Sequence, residues 1–164
     1  MIMTITETSA ERAADIAQLI RDAHRDVAER FALSEDNCPR HTAFCSADRV
    51  AAEFARGERY FLMEADHHPI ACVAYERPNT QLAYLNRLSV LPEYRRRGIG
   101  EQLVRHVIGL ARADGVSTVS IGIIGEHTHL LDWYTRLGCV CGEVKHFPHL
   151  PFTVRYMTYP IAAT

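Results

Sequence analysis

The stretch LNRLSVLPEYRRRGIGEQLVRHVI, residues 85–108, decides the fold of this chain. Its first part is rich in apolar residues as far as Pro92. This pattern predicts a β-strand that ends at the proline. From Gly98 onward the apolar residues recur at helical spacing instead, so the second part is predicted to be an amphipathic helix. Three arginines, Arg95, Arg96 and Arg97, lie between the two elements.

A strand, a basic turn with Gly98 and Gly100, and a helix together form an anion site. The first turn of a helix leaves backbone N–H groups unpaired, and the helix dipole places roughly +0.5 charge there. Glycines let a ligand approach the backbone without a side chain in the way. A phosphate-binding P-loop is excluded because Glu101 and Gln102 follow Gly100, and a dinucleotide fingerprint is excluded because Leu103 replaces its third glycine.

Outward from this segment, alternating and helical patterns predict a β-α-α-β-β-β-α-β-α-β-β order. The predicted strands are Met3–Thr6, Arg59–Ala65, Ile70–Arg77, Leu82–Leu91, Val116–Ile124, Cys139–Val144 and Phe152–Tyr159. Four helices are predicted. The first ends near Phe31, and the second runs from the cap Ser46 to about Arg56. The third begins at Gly98 and ends at Asp114, and the fourth spans Thr128–Leu137. This order predicts an α/β (α+β) fold with helices around one sheet.

Composition places the chain among ordinary globular proteins. It has 164 residues, of which 48% are hydrophobic and 23% charged. That length predicts one domain, residues 1–164. The formal net charge is −2, which disfavours a nucleic-acid partner because such proteins usually carry a basic excess.

Cysteine use and hydropathy predict a cytoplasmic protein. The five cysteines are odd in number and form no Cys-x-x-Cys pair, as is usual for reduced thiols. The first ten residues contain no basic segment followed by an apolar one, so no secretory signal is predicted. No apolar run approaches the roughly 20 residues that cross a bilayer, so no membrane partner is expected.

The motif Arg-x-x-Gly-x-Gly, formed by Arg95, Gly98 and Gly100, resembles the acetyl-CoA-binding signature of the GNAT superfamily of N-acetyltransferases. A second family motif, Asn-x-x-Ala-x-x-x-Tyr-x-x-x-Gly-Phe, is similar to the segment 127–139. That segment keeps Tyr134 and Gly138 and has histidine, leucine and cysteine at the other three places. The resemblance implies a single mixed, mostly antiparallel central sheet flanked by helices, and acetyl-CoA as cofactor.

The resemblance also assigns the cofactor-binding residues. Backbone groups of Leu88, Ser89 and Val90 would pair with the pantetheine arm of coenzyme A like an added strand. The pyrophosphate would be held by the backbone N–H groups of Arg95, Arg96, Arg97, Gly98, Ile99, Gly100 and Glu101. One or more of the three arginines would reach phosphate oxygens. His127 stands where the family's asparagine usually contacts the cofactor.

For catalysis, the resemblance makes Tyr134 the general acid that protonates the departing thiolate. The developing oxyanion would be stabilised by an N–H of Ser89 or Val90, where the strand splays from its neighbour. Many family members place a glutamate as base at the position of Tyr84, so the usual base is missing here. The base could instead be Glu76, Glu126, His41 or a water relay.

The acceptor is expected to be a primary amine of a small molecule or peptide. By the resemblance it would enter near the first helices and last strands, at the segments 37–45 and 145–152. Alternatives to an N-acetyltransferase are a non-catalytic acyl-CoA sensor and an acyltransferase that uses a longer acyl group.

Two further features concern assembly and metal. An exposed sheet edge near the C-terminus would allow a homodimer. Cys38, His41 and Cys45, with His146 or His149, have the ligand types of a zinc site but not a known ligand spacing, so no metal is predicted.

Overall fold

A computed structural model describes residues 3–162 of the chain as eleven main elements. Seven are strands: β1 (Ile5–Thr8), β2 (Arg59–Ala65), β3 (His68–Glu76), β4 (Leu82–Val90), β5 (Thr118–Ile124), β6 (Val140–Lys145) and β7 (Val154–Pro160). Four are α-helices: α1 (Ala13–Arg30), α2 (Ala47–Ala55), α3 (Ile99–Ala113) and α4 (Thr128–Leu137). Short 3₁₀ turns cover Ala10–Arg12, Thr42–Phe44 and Pro92–Tyr94.

All seven strands form one sheet in the order β1-β2-β3-β4-β5-β7-β6. Every pair is antiparallel except β4 with β5. Apolar residues of α1 and α2 pack on one face of the sheet, and those of α3 and α4 pack on the other. The predicted mixed, mostly antiparallel sheet flanked by helices and the predicted order of elements are confirmed.

The sheet divides between its two central strands. β4 pairs with β5 only where Leu82–Tyr84 meets Thr118–Ser120, whereas β5 pairs with β7 along all seven of its residues. From Leu85 to Val90 the edge of β4 that faces β5 therefore has no strand partner among the described residues. This divergence opens the interior of the sheet to a ligand.

A β-bulge lies in the unpaired part of β4. Cys72 pairs with Ser89 and Ala74 pairs with Asn86, so Val73 alone faces the two residues Arg87 and Leu88. Such a bulge re-aims the backbone groups around it. It is the predicted distortion of the splayed strand.

Local chemistry explains why the elements begin and end where they do. The Ser46 hydroxyl accepts from the N–H of Arg49 and caps α2. Gly138 closes α4 at φ 110°, as the C-terminal glycine of a helix commonly does. Asp66 and His67 turn β2 into β3 with φ of 49° and 66°, the left-handed pair that a two-residue hairpin requires.

Some predictions differ from the structure or stay untested. The first strand is Ile5–Thr8 and not Met3–Thr6, because its pairing with β2 rather than its own sequence sets its limits. The single domain, residues 1–164, stays a prediction, and residues 1–2 and 163–164 lie outside the described residues. β6 is an exposed sheet edge, and the homodimer likewise stays a prediction.

Within residues 3–162 no helix is long and apolar enough to cross a membrane.

Candidate functional site

A cleft of about 1390 Å³ occupies the gap between the diverging strands. One half lies between α1, the unpaired edge of β4, the start of α3 and α4. The other half lies over β5 and β7, beneath the loop that follows α1 and the loop that precedes β7. The cleft is larger than the pockets of most drug-sized ligands, so it has room for a long ligand and a second molecule.

The start of α3 presents unpaired donors to the first half. Gly98 precedes the helix at φ 78°, a left-handed conformation that favours glycine. Among the described residues, the N–H groups from Arg96 to Glu101 donate to no backbone or side-chain oxygen, and the first helical bond to Gly98 comes from Gln102. These free N–H groups lie where the sequence predicts an anion site, and anion binding there stays a prediction.

Gly100 lies close to a tryptophan side chain of α4. A Cβ atom at Gly100 would lie 3.2 Å from Cζ2 of Trp133 and 3.3 Å from its Cη2, whereas a Cβ at Gly98 would meet nothing within 4 Å. Gly100 also lines the cleft, so its predicted part in admitting the ligand stays a prediction. Its missing side chain lets the Trp133 indole pack against the first turn of α3.

The three arginines point in different directions. Arg95 binds Asp26 and the carbonyl of Ala23, both on α1, so its guanidinium joins the turn to α1. Arg97 lies over the Tyr94 ring, 5.2 Å from the ring centroid, and is not among the residues that line the cleft. Arg95 and Arg96 both line the cleft, Arg96 at φ 63°. Because the guanidinium of Arg95 is already bound to α1, Arg96 is the arginine best placed for a phosphate.

His127 lines the cleft and also caps α4. Its Nδ1 accepts from the N–H of Leu130 at 3.3 Å. Burial, together with Arg30, lowers the pKa of His127, so the ring is neutral at pH 7 and its proton is on Nε2. The ring keeps one free donor for a ligand, although an asparagine usually stands there in the family that the sequence resembles.

Tyr134 lies on α4 and is only 3% exposed, yet it lines the cleft. Burial raises its pKa above the usual value of 10.0. The phenol is therefore protonated throughout the neutral range. Among the described residues its hydroxyl has no hydrogen-bond partner, so it is available to donate to a bound molecule.

The candidates for the base are no longer equivalent. Glu126 accepts from the N–H and hydroxyl of Thr153 and is not among the residues that line the cleft. His41 lines the cleft, but its Nδ1 accepts from the N–H of Ala43, which leaves a proton on Nε2 and no free lone pair. Glu76 lines the cleft and pairs across the strands with Tyr84.

The carboxylate of Glu76 is oriented by a neighbour. The side-chain amide of Asn86 donates to it at 3.2 Å and to Glu58 at 2.9 Å. Glu76 therefore lies on the strand beside the position where the sequence lacks its expected glutamate. Cα atoms paired across antiparallel strands are about 5 Å apart, so a base can come from β3 instead of β4.

The sequence alone does not predict two other side-chain contacts at this site. His24 on α1 lines the cleft and lies 3.0 Å, Nε2 to Oγ, from Ser89. Arg87 in the bulge binds Glu53 on α2. No spacing signals these contacts, because each joins elements that are far apart in the sequence.

The two segments predicted to receive the acceptor do meet at the second half of the cleft. The α1–α2 loop contributes the stretch 38–42 and the loop before β7 contributes His149, Leu150 and Phe152. The rings of His41 and Phe152 are 6.5 Å apart. Over residues 3–162, no three His, Cys, Asp or Glu side chains are grouped so as to hold a metal ion.

Comparison with known proteins agrees with this arrangement. A family model described as "Acetyltransferase (GNAT) family" matches residues 15–139. An amino-acid acetyltransferase from Edwardsiella ictaluri (strain 93-146) is 32% identical over 92 residues. The matched region is 56% of this chain, but only 20% of that relative's length.

Two solved structures have similar folds. The PaiA N-acetyltransferase from Thermoplasma acidophilum, in complex with coenzyme A, aligns with a TM-score of 0.80 and 16% identity over 98% of this chain and 99% of its own. The ribosomal-protein-S18-alanine N-acetyltransferase from Escherichia coli aligns with a TM-score of 0.78 and 18% identity over 99% and 96% of the two chains. At these identities the likeness establishes the fold.

Proposed function

Because this chain belongs to the acetyltransferase (GNAT) family, we propose that it transfers the acetyl group of acetyl-CoA to a primary amine of a small molecule or peptide. The observation that carries the proposal is the cleft in the split sheet. It joins an unpaired strand edge, an unpaired helix start and a buried phenol in one cavity.

The cofactor would lie in the first half of the cleft. The free edge of β4 at Leu88, Ser89 and Val90 can hydrogen-bond the pantetheine arm as a neighbouring strand would. The N–H groups at the start of α3 would hold the pyrophosphate, with Arg96 beside them. The relative solved with coenzyme A supports this assignment.

The acceptor would lie in the second half, and the reaction would be a direct transfer. The ammonium first loses a proton to Glu76, directly or through water. Its nitrogen attacks the thioester carbon, and an N–H at the β4 bulge stabilises the developing oxyanion. The carbon–sulfur bond then breaks, and the Tyr134 hydroxyl donates its proton to the departing sulfur. The attacking nitrogen gives up its second proton, which returns to the Tyr134 phenolate directly or through water, and the products are the neutral amide and the thiol of coenzyme A. The names of the relatives differ in their acceptors, so the proposal extends to the amine class only.

A non-catalytic acyl-CoA sensor is the second candidate, and the departures at Tyr84 and His127 favour it. Glu76 lies beside Tyr84 and could act as the base in place of the missing glutamate. The free Nε2–H of His127 could donate to the cofactor in place of the missing asparagine. We therefore rank the enzyme above the sensor.

The test measures thiol release from acetyl-CoA in the presence of a panel of primary amines. Tyr134→Phe should lower kcat about 100-fold and change the affinity for acetyl-CoA little, because the ring is kept. Glu76→Gln should lower kcat near neutral pH, with a smaller deficit as the amine itself loses its proton at higher pH. Tyr159→Phe, a tyrosine that does not line the cleft, is the matched control.

The outcomes separate the candidates. Tight acetyl-CoA binding without amine-dependent release would favour the sensor. Faster release from a longer acyl-CoA than from acetyl-CoA would favour the third alternative, an acyltransferase with a longer substrate. Unchanged turnover in Tyr134→Phe would remove Tyr134 from the mechanism while leaving the transferase intact.

A further inference from the structure

The backbone of Arg87 is held in an unfavourable conformation within a strand. Its φ is 58°, in the left-handed region where a Cβ crowds the backbone. Arg87 is also the inserted residue of the bulge, since it and Leu88 together face Val73. A strained residue persists only when the surrounding structure enforces it.

The side chain of Arg87 is fixed by a buried ion pair. Its guanidinium lies 2.8 Å and 3.4 Å from the two carboxylate oxygens of Glu53, and the side chains are only 15% and 8% exposed. The Tyr60 hydroxyl donates to the same carboxylate at 3.3 Å. A buried charge needs a partner of this kind, so Glu53 ties the bulge to α2.

The carbonyl of Arg87 is fixed as well. It accepts from the Ser89 hydroxyl at 2.9 Å and from the Cys72 thiol at 3.6 Å. The Ser89 hydroxyl in turn lies 3.0 Å from Nε2 of His24. Arg87 is therefore restrained at its side chain and its backbone, on the face of the sheet that α1 and α2 cover.

We infer that Glu53 and Arg87 are positioning residues, whose ion pair holds the β4 bulge so that its N–H groups are aimed at the thioester carbonyl of bound acetyl-CoA. This inference rests on the proposed function for the identity of the ligand. The ion pair would explain how the bulge keeps its shape although this edge of β4 has no strand partner on the cleft side. Preorganised donors of this kind are effective because they need not reorient during the reaction.

A purely structural role makes a different prediction. If the pair only attached α2 to the sheet, its removal would lower stability without changing how the carbonyl is polarised. The infrared stretch of the thioester carbonyl separates the two roles, because a hydrogen bond to the oxygen lowers its frequency. This readout needs no acceptor amine.

The experiment compares free and bound acetyl-CoA that carries ¹³C at the acetyl carbonyl. The variant Glu53→Gln/Arg87→Ala removes both charges together, so that neither is left buried and unpaired. We expect it to bind coenzyme A within about threefold of the wild-type affinity and to lose the frequency shift. Glu53→Gln/Arg87→Gly should recover part of the shift, since glycine adopts the left-handed conformation without strain.

The control is Glu7→Gln, which breaks the ion pair of Glu7 with Arg59 between β1 and β2, outside the cleft, and should keep the shift. A full shift in the alanine variant, or equal losses in the alanine and glycine variants, would overturn the inference. Failure of the wild-type protein to bind acetyl-CoA would instead overturn the proposed function, and the inference with it.

Discussion

At the scale of single residues, the two glycines of the predicted anion site are needed for different reasons. Gly98 is needed for its backbone, since its φ is 78° and a Cβ there would meet nothing within 4 Å. Gly100 is needed for its size, since a Cβ there would press on Trp133. We predict that Gly98→Ala costs about 1–2 kcal/mol of stability and leaves the fluorescence of Trp133, the only tryptophan, nearly unchanged.

Gly100→Ala should have the opposite pattern. Alanine improves helix propensity but displaces the indole, so the emission of Trp133 should shift while stability changes little. The double variant Gly100→Ala/Trp133→Leu removes the collision, and it should bind coenzyme A more tightly than Gly100→Ala alone. Identical behaviour of the two alanine variants would contradict the separate roles.

Two half-buried histidines, His24 and His41, should make stability depend on pH. Burial lowers the pKa of His24 and of His41 to about 4, from 6.5. Because the unfolded chain binds these protons more readily, stability is fully present above pH 6.5 and falls as the pH drops toward 4. Both rings are partly exposed, so we expect a loss of about 1–2 kcal/mol for each.

Urea unfolding at pH 7.5 and pH 5 measures this loss. His41→Gln should reduce the difference in stability between the two pH values, because one of the two half-buried rings no longer titrates. His67→Gln, in the exposed turn between β2 and β3, is the control and should leave it unchanged. An equal difference in wild type and His41→Gln would contradict the assignment.

At the scale of elements, the turn between β4 and α3 holds three arginines with different surroundings. Arg96 lines the cleft, whereas Arg97 covers Tyr94. We predict that Arg96→Gln weakens coenzyme A binding about tenfold, the effect of losing one charge-assisted contact. Arg97→Gln should change affinity less than about twofold.

Titration calorimetry of both variants at low and high salt tests this prediction. The dependence of affinity on salt should be smaller for Arg96→Gln than for wild type, since one cation no longer faces the phosphates. Equal losses for the two variants would show instead that the basic turn acts only through its total charge.

The sequence predicted the elements and the helix start after the basic turn because their signals are local. The cap Ser46, the closing Gly138 and the basic turn each lie within a few residues of the structure they determine. The sequence could not predict that Arg95 binds Asp26, because the two residues are 69 positions apart. Glu53 was missed for the same reason, since a glutamate on a short amphipathic helix is usually solvated and only the fold brings Arg87 to it.

At the scale of the whole molecule, two of the free strand edges of the sheet differ in their surroundings. One is the cleft side of β4 from Leu85 to Val90, inside the molecule. The other is β6, all six residues of which are exposed. Only the first lies beside the helix start of α3 and the phenol of Tyr134, so only the first should respond to the cofactor.

Hydrogen exchange measures this difference directly. Coenzyme A should slow the exchange of amides at Leu88–Val90 and at Arg96–Glu101, because the ligand occupies donors that otherwise face water. Amides of β6 should gain only the protection that follows from the greater overall stability of the bound protein. Stronger protection at β6 than at β4 would place the ligand, or a second copy of the chain, on the outer edge, and the split in the sheet would then not be the binding site.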